Sequence, residues 1–207
     1  MGNIIDNSKG SGYISIYNFS EEFVKNDTFL NSKLKNMYVG GLGAVVYINY
    51  ESSSVGPYKQ LLFIPGKFES NGKSRYVISK AYVSTQAAAD FCKEKLSCDA
   101  EVANFEQKSI TDDIEHVSIS NEKGNILSFE IEEWGLRFPV STSLVNFPIM
   151  QLDEDGTPML FEYKGEGEAR FSKRISIEIR PALFPDFAQF SSIAMVKIDK
   201  FSLSFEK

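Results

Sequence analysis

A Ser-His-Asp relay in this sequence would have to pass through His116, its one histidine, because such a relay needs an imidazole base held by a carboxylate. His116 lies in Asp113-Ile114-Glu115-His116-Val117-Ser118-Ile119, which alternates like a half-buried strand and makes it a surface or hydrogen-bonded strand histidine. Zinc-type sites draw on several His and Cys side chains. With a single histidine, and with Cys92 and Cys98 spaced neither as CxxC nor as a zinc knuckle, no metal site is expected. Two thiols are also too few for a secreted disulfide framework, so a reducing, cytoplasmic setting with two idle thiols is expected. The acidic run Asp153-Glu154-Asp155-Gly156 lacks the spaced oxygens and closing Glu of a calcium loop and reads as a solvated turn. Gly165-Glu166-Gly167-Glu168-Ala169 is followed by neither a lysine nor a helix start, and it reads as a turn rather than a phosphate cradle. No cofactor is expected.

Amine nucleophiles are the remaining chemistry. Lys80, in Tyr76-Val77-Ile78-Ser79-Lys80-Ala81-Tyr82, shares a strand face with Tyr76, Ile78 and Tyr82 and is expected on the exterior, its stem packed beside tyrosines. Lys93 and Lys95 fall in a charged helical stretch and are expected in solvent. Gln60 shares a face with Tyr58, Leu62 and Ile64. It either satisfies a neighbouring backbone group or offers a hydrogen bond to a carbonyl.

The elements that must position these groups are mostly strands. Tyr13–Phe19, Ala44–Tyr50, Tyr58–Phe68, Arg75–Val83, Glu101–Lys108, Asp113–Ser120, Ile126–Glu132, Leu136–Val140, Met159–Tyr163, Ala169–Arg180 and Ile193–Phe205 carry β-branched and aromatic residues between turn signals. Asn71-Gly72 predicts a hairpin. Ser84-Thr85 offers N-caps for a helix over Gln86–Leu96, and Ser20–Leu34 is a second helical candidate broken at Asn26-Asp27. Residues 1–12 are polar and glycine-containing, and a flexible N-terminal arm is expected there. Many short strands with one or two helices indicate a single, mainly β domain over 1–207, built as a closed antiparallel barrel around a space for a small ligand. At 43% hydrophobic residues the chain can build a full core, and a net charge of −6 without a basic block excludes the counterion-driven binding of nucleic acid. No stretch reaches the ~20 apolar residues of a membrane span, and Met1-Gly2 with Asp6 lacks the Ser or Thr of a myristoylation signal.

Three segments, Gly40-Gly41-Leu42-Gly43-Ala44-Val45-Val46, Ser54-Val55-Gly56-Pro57-Tyr58-Lys59-Gln60-Leu61-Leu62-Phe63-Ile64-Pro65-Gly66 and Ile78-Ser79-Lys80-Ala81-Tyr82-Val83-Ser84-Thr85, together resemble the acetoacetate decarboxylase-like family. The likeness continues through Phe138–Thr142, Asp155–Pro158, Gly165–Arg170 and Ile193–Phe201. It implies a cone-shaped antiparallel β-barrel around an internal apolar cavity, and a symmetric homo-oligomer. That family's activity rests on a lysine that forms an imine with a β-keto acid, its pKa lowered by apolar burial and a neighbouring cation; the enzyme is itself a standard example of this effect. In the stretch Phe91-Cys92-Lys93-Glu94-Lys95-Leu96-Ser97-Cys98-Asp99-Ala100-Glu101, Ala100 occupies the lysine's position and Asp99 that of a proline. Gln60 and Val45 replace two acids, and Ser11 aligns with an arginine. A methyl group cannot form an imine. The resemblance therefore implies a protein that has lost imine-based decarboxylation and binds a small, mostly apolar or carbonyl-containing molecule, with Val45, Tyr58, Gln60, Leu62, Ala100 and Glu101 as ligand-binding candidates and none as a catalytic residue. The alternative is a lyase or hydrolase of the same fold acting on a keto acid through other groups, for which Tyr58, Gln60, Glu101 or a relocated lysine are the candidates.

Overall fold

The structure, a computed structural model, describes residues 4–27, 29–143 and 147–206. The chain begins with a long strand, β1 (Ile4–Tyr17), followed by two short helices, α1 (Glu21–Asn26) and α2 (Ser32–Lys35). Strands β2 (Tyr38–Gly40), β3 (Gly43–Ser52), β4 (Tyr58–Ile64), β5 (Lys67–Ser70), β6 (Lys73–Tyr76) and β7 (Lys80–Val83) lead to helix α3 (Gln86–Leu96). The remainder is β8 (Ala100–Val102), β9 (Asn104–Ser109), β10 (Ile114–Asn121), β11 (Gly124–Ser141), β12 (Ile149–Leu152), β13 (Pro158–Ile179) and β14 (Ala194–Glu206).

Local chemistry explains the elements that the sequence marks. Asn71 and Gly72 take positive φ of 51° and 70° in the β5–β6 turn, as a two-residue hairpin requires. The Thr85 hydroxyl accepts from the Ala88 N–H at 3.2 Å and starts α3. Ser97, in the left-handed region at φ 50°, ends it, and the Cys98 N–H returns to the Cys92 carbonyl at 3.0 Å. The helix therefore stops where the sequence predicts, and Lys93 and Lys95 lie exposed on its outer side.

Three expectations are corrected. Residues 4–12 are not an arm: β1 pairs with β14 from Ile4 and with β3 from Lys9, while residues 1–3, Met1-Gly2 included, lie outside the described residues. Gly165–Ala169 is not a turn but the middle of β13, paired with β14. A Cβ at Gly165 or Gly167 would come within 2.6 Å of the Ser202 carbonyl oxygen or 2.4 Å of that of Lys200, so these glycines permit close strand approach. Third, the sheet is not closed. It follows the path β2-β5-β6-β12-β13-β14-β1-β3-β4-β7-β8 and branches at β13 through β11 and β10 to β9.

The shared strands β14, β1, β3, β4 and β7 bury both faces, which gives two cores. One face contributes Tyr13, Tyr17, Val45, Tyr47, Leu61, Phe63, Tyr82 and Met195, packed against Phe105, Val117, Ile119, Phe129 and Ile131 of β9–β11 and against Phe184 and Phe187. The other contributes Ala44, Tyr50, Tyr58, Leu62, Ala81, Val83 and Phe205, packed against Phe91, Cys92 and Leu96 of α3, Tyr76 of β6, Ile149 of β12 and Phe161 of β13. Strand alternation thus assigns even and odd positions of one strand to two compartments.

Candidate functional site

The two compartments differ in how completely they are filled. The first leaves a void of only about 20 Å³ beside Tyr13, Tyr17 and Tyr47, enough for about one water molecule. The second holds a cavity of about 180 Å³, larger than the ~150 Å³ apolar cavity that accommodates benzene in another protein. Strands β3 and β4 supply its wall in register: Tyr50 faces Tyr58, Ile48 faces Gln60 and Val46 faces Leu62. Helix α3 contributes Cys92 and Leu96, and Tyr163, Leu203 and Phe205 close it from β13 and β14.

Its polar groups are few and uncharged. Gln60, 5% exposed, accepts from the Tyr50 hydroxyl at 3.4 Å and donates through Nε2 to Cys92 Sγ at 3.6 Å. The Tyr50 and Tyr58 rings stack with centroids 4.5 Å apart, and Tyr163 meets Phe205 edge to face at 4.7 Å. Burial disfavours the ionised forms, pushing the hydroxyls of Tyr50, Tyr58 and Tyr163 and the thiol of Cys98 well above their ordinary range. It also pushes the Cys92 thiol up to about 12, against the opposing hydrogen bond from Gln60. Among the described residues that border this space, none carries a charge at neutral pH.

Of the residues singled out from the sequence, Tyr58, Gln60 and Leu62 border the cavity together. Val45 does not, because alternation turns it to the opposite face of β3 from Ala44 and Val46, where it borders the small void. Ala100, half-buried on β8, is paired with Ala81 at the end of the sheet and touches the same core without reaching the cavity. Glu101 points elsewhere: its side chain is 53% exposed and holds the Lys80 ammonium. Lys80 is no relocated nucleophile facing this space. Its amine sits 4.8 Å and 4.7 Å from the centroids of the Phe29 and Tyr82 rings, in cation–π contact with both. Tyr50, Tyr163, Cys92 and Cys98 were missed. The register from the Gly56-Pro57 turn, which sets Tyr50 opposite Tyr58, was the available signal for the first.

A second polar group, also unanticipated, caps the first compartment. Glu133, 4% exposed, contacts the Lys197 ammonium and Arg170 Nη2, the latter at 2.7 Å, and accepts from the Tyr13 hydroxyl at 3.3 Å. Lys197 also donates to Glu115 at 2.8 Å, and Asp199 binds Arg170 at 3.1 Å and Arg137 at 2.6 Å. Each charge is spent on an opposite one, beside a packed core rather than an open space. His116 lies on β10 at 3.7 Å from Glu130, a surface strand position. Asp153 closes the β12–β13 turn by accepting from the Thr157 N–H at 2.7 Å, and both cysteines are buried free thiols. No described helix is long and apolar enough to cross a membrane.

No protein-family model matches the sequence, and no curated protein matches it. Solved structures do match in shape. Acetoacetate decarboxylase from Legionella pneumophila superposes with a TM-score of 0.67 at 11% identity, over 97% of this chain and 84% of that one. An acetoacetate decarboxylase-like enzyme from Sphingomonas wittichii gives 0.66 at 9% identity, over 97% and 90%. The enduracididine biosynthesis enzyme MppR, solved with pyruvate, gives 0.65 at 9% identity, over 100% and 90%. At these identities the likeness establishes the fold, which is acetoacetate decarboxylase-like.

Proposed function

Starting from the acetoacetate decarboxylase-like fold, we propose that this protein binds a small uncharged molecule with an apolar body in the cavity between β3, β4, α3, β13 and β14, and that it does so without imine chemistry. The observation that carries this reading is the composition of the described wall: aliphatic, phenyl and tyrosyl surface, one threonine hydroxyl, two protonated thiols and one buried amide. An amine nucleophile would have to lie within reach of the bound carbonyl, and the described wall contains none. A keto acid such as the pyruvate solved with MppR would bring a carboxylate into a space whose described wall offers it no cation, and an unpaired buried charge is strongly disfavoured.

Calorimetry with toluene and with acetoacetate tests the proposal on the wild type and on Ala44→Met, which fills the cavity. Toluene should bind the wild type and raise its melting temperature, acetoacetate should do neither, and the variant should lose the toluene response while keeping its circular dichroism spectrum. Preferential binding of acetoacetate, or toluene binding unaffected by the substitution, would overturn the proposal.

A further inference from the structure

Among the described residues, Gln60 is the single side-chain amide in a wall of hydrocarbon, hydroxyl and thiol. Its two protein partners fix which of its valences remain. The Tyr50 hydroxyl donates to Oε1, and Tyr50 is itself 2% exposed and stacked on Tyr58, so it cannot turn outward to find water. In the reverse orientation an N–H would donate to the Tyr50 oxygen and Oε1 would meet only a thiol, a weak donor, and the other N–H of Nε2 would still lack a strong protein partner. In the observed orientation one N–H of Nε2 reaches only the Cys92 sulfur, a weak acceptor at 3.6 Å, and the second has no protein partner among the described residues. A vacant lone pair on a buried carbonyl oxygen is tolerated more easily than an orphaned N–H. What the site lacks is therefore an acceptor.

From this we infer that the ligand is a neutral ketone or comparable carbonyl compound, its oxygen accepting from Gln60 Nε2, and that Tyr50 is a positioning residue that holds the amide with its N–H toward the cavity. The inference rests on the cavity reading above and narrows it. A hydrocarbon leaves the N–H unmet, and an alcohol meets it but brings an O–H that needs an acceptor of its own. A ketone satisfies the site without adding a donor.

Cyclohexanone, cyclohexanol and methylenecyclohexane, close in shape, separate the possibilities. In the wild type cyclohexanone should bind about tenfold more tightly than methylenecyclohexane, the size of one neutral hydrogen bond made to an otherwise unsatisfied donor, with cyclohexanol between them. Gln60→Met should bring the ketone down to the hydrocarbon's affinity and leave the hydrocarbon's unchanged. Tyr50→Phe, which frees the amide to turn, should reduce the ketone preference while Gln60 remains. Infrared spectra give a readout independent of affinity and of general loosening: the bound carbonyl stretch should lie below its value in a hydrocarbon solvent, return to that value in Gln60→Met and broaden in Tyr50→Phe. Equal binding of ketone and hydrocarbon to the wild type, or an unshifted stretch, would refute the inference and leave the cavity reading standing. Failure of all three probes to bind would refute both.

Discussion

Glu133→Gln removes a single carboxylate charge from a nearly inaccessible position without much change in shape. Two cations face it, Lys197 and Arg170. Stripping a buried ion of its only partner costs about 3–5 kcal/mol. Here Lys197 keeps Glu115 at 2.8 Å and Arg170 keeps Asp199 at 3.1 Å, so neither cation is orphaned, and the loss should fall to about 2 kcal/mol. For a chain of this length that lowers the melting temperature by about 4–8 °C. Lys197→Met should cost more, because it leaves Glu133 and Glu115 facing one another, and the double variant should recover part of the sum of the two losses. Urea unfolding at neutral pH measures all three. The pH profile supplies a further check. Burial opposes the charged form of Glu115, and the hydrogen bond and charge of Lys197 outweigh it; at Asp199 the bonds from Arg170 and Arg137 outweigh burial likewise. Both carboxyls consequently titrate below their ordinary 4.5 and 3.8. Their stabilisation is complete above those values and is lost as the pH falls through the lower folded ones. Lys197 is shifted up from 10.5 by its two carboxylates against opposing burial, so its contribution is complete below that value and disappears only at higher pH. A change under about 0.5 kcal/mol in Glu133→Gln, or strict additivity in the double variant, would refute the view of this cluster as a coupled cap on the first compartment.

Three further outcomes follow from the geometry. With Cys92 shifted up to about 12 by burial and Cys98 also raised, a thiol reagent at pH 8 should leave both unlabelled in the folded protein and label both in urea; rapid labelling of the native chain would contradict the buried placement. Ala100→Lys would put an amine on the cavity's face of the sheet, because Ala100 pairs with Ala81 and Ala81 with the cavity-lining Leu62, but with no cation among the described wall residues to lower its pKa. Borohydride reduction in the presence of acetoacetate should therefore add no mass and carbon dioxide release should stay at background, and a stoichiometric adduct on that lysine would contradict the reading of the wall as unfit for imine chemistry. Ser97→Gly relieves a left-handed non-glycine residue at φ 50°, where the conformational penalty of ~1–2 kcal/mol is partly offset by glycine's greater freedom in the unfolded chain. The urea midpoint should rise by an amount equivalent to roughly 0.5 kcal/mol, and a decrease would show that the serine side chain has a role of its own.

Local signals in the sequence were enough for α3, with its Thr85 cap, and for the Asn71-Gly72 hairpin, because their causes lie within a few residues. Ile4–Gly10 was not legible as strand. Its inward positions include Asp6 and Ser8, 4% and 1% exposed, whose polarity is answered by each other at 3.0 Å and by the Ser54 N–H at 2.8 Å, so no apolar alternation marks it. Gly165 and Gly167 resembled a turn for a similar reason, since the backbone of β14 that requires them lies more than 30 residues away. At the site, alternation grouped Tyr58, Gln60 and Leu62 correctly. Val45 was grouped with Gln60 by resemblance to the family, and the β3–β4 register instead puts the two in different compartments. Glu133 follows Phe129 and Ile131 on the inward face of β11, a legible signal for the charged cap, whereas its partners on β13 and β14 are fixed only by tertiary pairing.

The central claim is that the cavity is an uncharged receptor for a small guest. Crystals soaked in bromobenzene test it most directly, because bromine is located by its anomalous signal. The account predicts one bromine site in the space between Tyr58, Gln60 and Tyr163, with the protein backbone unmoved. Ordered water filling that space, or bromine only at the surface, would contradict it.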